Sequence, residues 1–147
     1  MSNVERMRRH VADDSSCKLC GAAMEDTYHI LRSCSMVIPI WMEFIRPEKM
    51  VSFFGLNIHD WLLANLGQDP LFARIHLQWD LLFGALIWNI WLQRNWSIFE
   101  DTAYCTGSIV IRSFRLLEEI SLAGDGQGGV SSRESEEDLL SLDSGLR

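Results

Sequence analysis

The sequence predicts an all-α fold, and three observations predict it. Apolar residues recur at helical spacing from Val37 onward, no segment alternates as a strand, and the breakers Pro47, Gly67 and Asp69-Pro70 fall between the apolar stretches. Composition then divides the chain of 147 residues into a helical domain over 1–123 and a flexible acidic tail over 124–147.

Val4 to Val11 reads as one or two turns of a basic helix, ending before Asp13-Asp14-Ser15-Ser16, whose side chains favour turns and caps. Asp26 or Thr27 caps a short helix through His29 toward Arg32. Ser35 then caps a helix with Val37, Ile40, Trp41, Phe44 and Ile45 on one face, Pro39 in its first turn and Pro47 as its stop. Asn57 to Leu66 is another short helix, with Ile58, Trp61, Leu62 and Leu66 on one side and Gly67 as C-cap. The longest helix is expected from about Phe72 to Phe99, along Trp79, Leu82, Phe83, Leu86, Ile87, Trp91 and Ile98, with Leu81, Trp88 and Ile90 widening the apolar face. A last helix, Ser108 to Leu122, sets Ile109, Phe114, Leu117 and Ile120 inward. After Ala123 the chain turns to glycine, serine and acid (Glu134, Glu136, Glu137, Asp138, Asp143) with no aromatic residue, too little apolar surface for a second core.

Net charge and motifs narrow the function. The apolar run Leu81–Leu92 is well short of the roughly 20 residues that span a bilayer. With no secretory signal near Met1, the chain reads as intracellular and its cysteines as reduced. A formal net charge of −7 gives no overall attraction to nucleic acid. The first dozen residues lean the other way: Arg6, Arg8 and Arg9 face only Glu5, which makes either a small basic patch or a solvated helix face.

Three of the four cysteines and one of the four histidines lie in the stretch CKLCGAAMEDTYHILRSC, residues 17–34. The spacing Cys17-x2-Cys20 lets two sulfurs point at one ion from a tight turn whose amides donate to the thiolates, and Gly21 permits the positive φ that such a turn needs. His29 and Cys34 supply the second half of the set. Residues five apart on an α-helix differ by about 140° in direction, so the helix is expected to fray near Arg32-Ser33 and let Cys34 turn back to the ion. Glu25 either accepts the second imidazole N–H of His29 or stays in solvent. A Cys3His set matches structural zinc, with no open position for a substrate. The fold class is thus a small all-α domain with an N-terminal Cys3His zinc knuckle and a disordered acidic C-terminal tail.

No enzyme mechanism is legible. Val11-Ala-Asp-Asp14 lacks the hairpin and third carboxylate that paired metals require, His10, His59 and His76 have no nucleophile at a recognisable spacing, and Cys105 stands alone. Six tryptophans (Trp41, Trp61, Trp79, Trp88, Trp91, Trp96) read as core from their helical spacing, with Trp96 beside Arg94 and Asn95 the one placed for an exposed role.

The RMRRH lead-in, the Cys17, Cys20, His29, Cys34 cluster, EDTYHIL around His29, Trp41, and WNIWLQRNWSIFE at 88–100 together resemble the zinc-binding region of reverse transcriptases from plant LINE-like retroelements, over about two thirds of the chain. The resemblance implies a non-catalytic module with Cys17, Cys20, His29 and Cys34 as zinc ligands, which in a full-length element follows the polymerase and often precedes a ribonuclease H domain. It also implies a nucleic-acid partner, RNA or DNA, and the basic residues available for weak binding are Arg6, Arg8, Arg9, Lys18 and Arg32. The alternative is a protein-interaction module without a nucleic-acid role. Neither reading calls for a membrane or a small-molecule substrate.

Overall fold

The structure is a computed structural model that describes residues 1–67, 71–75 and 78–143, with side chains as far as Gly126. The expected Asp69-Pro70 turn, His76 and the side chains of Glu134, Glu136, Glu137, Asp138 and Asp143 lie outside the described residues. Two compact units divide the chain, Met1–Phe114 and Arg115–Arg147.

The elements are α1 (Asn3–Arg8), a π turn (His29–Ser33), α2 (Ile38–Phe44), a 3-10 turn (Pro47–Lys49), α3 (Met50–Gly55), α4 (Ile58–Leu66), α5 (Trp79–Phe99) and α6 (Thr106–Asp143). No strand forms among the described residues beyond one isolated antiparallel bridge, Ile45 with Ala73. The fold is all-α.

Local chemistry sets the helix starts. Ser2 caps α1 by accepting from the Glu5 amide, and Asn57 caps α4 by accepting from the Asp60 amide. Ser35 does not cap α2. It lies in a turn, and α2 starts after Val37 with Pro39 in its first turn, where a missing N–H costs nothing. The segment Pro47–Gly55, unassigned from the sequence, forms the 3-10 turn and α3, which carries the fully buried Phe53.

The expected start of the long helix at Phe72 is corrected to Trp79. Phe72 to Arg74 pairs with the end of α2, where the Arg46 amide donates to Phe72 O (2.8 Å) and the Arg74 amide to Phe44 O (2.8 Å). The Phe72 carbonyl and the Arg74 amide are thereby committed across the chain rather than to a helix. Gln78, with φ of 55°, turns the backbone into α5.

An aromatic core fills the first unit. The Trp41 ring meets Phe53, Trp61 and Phe83 at 5.3, 5.6 and 5.5 Å between centroids, and Trp79 extends the cluster through Phe83 at 5.9 Å. Each such ring, fully buried, contributes about 1.5–3 kcal/mol. Trp41 also donates its indole N–H to Leu31 O (2.9 Å), which ties the core to the π turn. α5 packs on α4 and on that turn, and α6 adds the buried Ile109 and Ser113. Leu66, expected inward, is exposed, and Asn65 is buried in its place, donating to Trp61 O and accepting from the Trp79 indole. In the second unit α6 continues past Leu122, where the sequence expects it to end, with no proline to stop it. No described side chain from Leu122 to Gly126 is buried.

Candidate metal centre

The turn after α1 builds the first half of the site. The Cys17 amide donates to Ala22 O and the Gly21 amide to Cys17 O, both at 2.8 Å, which closes a tight loop around Cys17 and Cys20. Gly21 sits at φ of +81°, as the spacing anticipates. Backbone amides of Cys20 and Leu19 favour the Cys17 thiolate, and those of Ala22 and Ser35 the Cys20 thiolate.

The second half uses a different device from the expected fray. Asp26 Oδ1 accepts from the His29 amide (2.7 Å) and starts the turn, which then widens into a π turn where the Cys34 amide donates to His29 O (2.9 Å). An i to i+5 hydrogen bond adds a residue to the turn, and residues five apart, which diverge on an α-helix, come back toward one face. Cys34 then leaves in extended conformation.

Cys17, Cys20, His29 and Cys34 consequently offer four ligand atoms that all lie within 4.8 Å of one another. Cys17 Sγ is 3.9 Å from Cys34 Sγ, and Cys20 Sγ is 3.3 Å from His29 Nε2. A tetrahedral ion with bonds of about 2.3 Å to sulfur and 2.0 Å to nitrogen separates two sulfurs by roughly 3.8 Å and sulfur from nitrogen by roughly 3.5 Å. The donor set and its spacings fit one metal ion. Cys17 and Cys34 are buried, His29 nearly so, and Cys20 forms the half-exposed rim. Burial raises the Cys17 thiol and pushes Cys34 up to about 12. Burial also acts upward on Cys20, but the Ala22 amide and the neighbouring sulfurs outweigh it and leave that thiol lowered. All four cysteines are free thiols, and Cys105 is exposed, away from the cluster.

Glu25 does not serve His29, nor does it stay in solvent. It is fully buried and bonded to Arg94 of α5: Arg94 Nη2 donates to Oε1 and Nε to Oε2 (3.3 Å). The Asn3 amide donates to Glu25 Oε1 (3.0 Å), and Arg94 Nη1 donates to Met1 O (3.0 Å). The same loop accepts from the Val4 amide at Glu25 O, so α1, the cysteine turn and α5 meet in one buried network. Sequence reading missed this pair, which is separated by 69 residues. It also missed Tyr104, whose buried hydroxyl has no partner and is raised first by burial and then by the negative charge of Cys34 and Cys17.

Of the five cationic candidates, Arg32 is corrected outright. Its side chain is fully buried, donating to Phe53 O (2.9 Å) and Leu56 O (2.6 Å), with Cζ 3.7 Å from the Tyr28 ring centroid. Burial lowers its pKa to about 10, so it remains a cation at neutral pH, but one committed to the core. Arg8 and Arg9 are exposed and both reach Glu5, which they hold down to about 2; Lys18 is exposed and pairs with Asp14. Arg6 is half-buried, bonded to Asn3 Oδ1 and 5.4 Å from the Phe99 ring centroid. Trp96 is half-buried under Arg112 rather than exposed.

Fold and site define a helical protein organised around a Cys3His cluster able to hold a metal ion. Over 105 residues, 71% of the chain, it is 30% identical to an Arabidopsis thaliana protein named "Putative ribonuclease H protein". The chain spans only 17% of that relative's length. No family model matches the chain, and no solved structure gives a significant match. Among the described residues, no helix is long and apolar enough to cross a membrane.

Proposed function

We propose that this chain is a non-catalytic zinc-binding module of the kind found beside retroelement reverse transcriptases, contained within residues 1–123, with Cys17, Cys20, His29 and Cys34 holding one structural Zn2+. The observation that carries the reading is the set of four ligand atoms within 4.8 Å of one another, with the Cys17–Cys34 and Cys20–His29 spacings close to those around a tetrahedral ion. The donor chemistry favours zinc: three thiolates and one imidazole suit its borderline character, and four protein ligands leave no position for a reacting water. The likeness to a stretch of a plant protein named for ribonuclease H supports a retroelement origin. The ribonuclease H activity itself is not assigned to this chain. The described residues offer helices and one isolated bridge rather than a sheet to carry paired carboxylates.

In this reading the ion's role is to hold the cysteine turn, the π turn and, through the loop between them, the Glu25–Arg94 network in one arrangement. Nucleic-acid contact, weak in this proposal, falls to Arg8, Arg9 and Lys18 at the surface, with Arg6 partly available. The metal assignment is checked with cobalt(II) in place of zinc. The wild-type chain should show intense tetrahedral visible bands and sulfur-to-cobalt charge transfer. Cys34→Ser should weaken both, while Cys105→Ser leaves them unchanged. Equal spectra for all three proteins would remove the assignment.

A further inference from the structure

α5 buries one face in the aromatic core and turns a second, apolar face outward. Leu81, Gly84, Trp88 and Trp91 recur at intervals of three and four and fall within an arc of about 80° on the helix. Trp88 is 55% exposed and Leu81 37%. Beside them lies an open groove of about 350 Å³ lined by Leu31, Gly84, Ile87, Trp88 and Trp91. A tryptophan more than half in water, at the rim of a groove with almost no polar wall, is the feature that core packing does not explain.

We infer that this face of α5 is a self-association surface, on which a second copy of this chain docks its own α5 antiparallel. The stripe is complementary to itself. A two-fold axis level with Leu86 sets Trp88 of each copy opposite Gly84 of the other, and Leu81 opposite Trp91, so the largest side chain meets the position with none. Leu86 itself points into the core, fully buried, and leaves the axis clear. An isologous contact brings identical charges together, and from Leu81 to Gln93 the helix carries no charged residue. The stripe runs about 15 Å, too short to bury the roughly 800 Å² per partner of a standard interface, so the dimer is weak, and a dissociation constant on the order of 10⁻⁵ M is expected.

The test is sedimentation equilibrium of the full chain across roughly 1 to 300 μM, a range that brackets that constant. The wild type should pass from monomer to dimer. Gly84→Leu should remain monomeric, with association weakened at least tenfold and unchanged far-UV circular dichroism. A Cβ at Gly84 meets nothing within 4 Å in its own chain, so a side chain can start there and fill the notch. Trp88→Ala should lose association as well; if it also loses helicity, Gly84→Leu decides alone. A wild type that stays monomeric overturns the proposal and leaves the groove to a different chain. A dimer that Gly84→Leu leaves intact overturns it too.

Discussion

Glu25 and Arg94 are 0% and 1% exposed, and each is useful only while the other is present. Removing one partner of a buried pair strands a charge in a medium that cannot solvate it, at a cost of about 3–5 kcal/mol. Arg94→Met should therefore lower the free energy of urea unfolding by about that amount. Arg94→Met combined with Glu25→Gln should lose less than the two single variants together, because neither charge is then left alone. Additive losses would mean that the two groups act separately. The pair was hidden from the sequence for a physical reason. Glu25 lies four before His29, which suggests a shared helix face, but the helical turn begins only at Thr27 and leaves Glu25 free to point elsewhere. Arg32 misled in the same way, since a cation beside a metal motif reads as surface until its partners, two backbone carbonyls and a tyrosine face, are in place.

At the scale of elements, periodicity located most of α2, α4 and α5, because their apolar positions face one core. It failed where geometry depends on neighbours. The π turn cannot be read from spacing, although the need for one was legible: His29 and Cys34 are five apart and their ligand atoms must meet. The sequence sets the start of α5 too early because Phe72 and Ala73 look helical until the end of α2 claims their backbone. For α6, the side chains of Glu118 to Ile120 and of Leu122 to Gly126 are exposed. Ending the chain after Ala123 should leave both the thermal midpoint and the metal content unchanged. A midpoint lowered by more than a few degrees would place stabilising contacts in 124–147. Within α6, Gly124→Ala and Gly126→Ala should each favour helix by about 1 kcal/mol, since both positions open to empty space.

For the whole molecule, the net charge of −7 and the pairing of Arg8, Arg9 and Lys18 with local acids limit any nucleic-acid contact. A phosphate has to compete with Glu5 and Asp14. Binding to single-stranded RNA or DNA should thus be weak and fall steeply as salt rises from about 50 to 200 mM, with the slope reduced by Arg8→Ala and Arg9→Ala. Binding that ignores salt would contradict the basic-patch reading. The cysteine cluster was the part of the site most legible beforehand, because metal ligation leaves a fixed trace in residue type and spacing, whereas the network that anchors it to α5 leaves none.

If an ion holds the N-terminal third of this fold in place, zinc stoichiometry of the purified chain, with circular dichroism before and after chelation, will show it. One zinc per chain is expected, with a loss of tertiary signal and partial loss of helicity when it is withdrawn. A chain that carries no zinc and keeps an unchanged spectrum in chelator would contradict it.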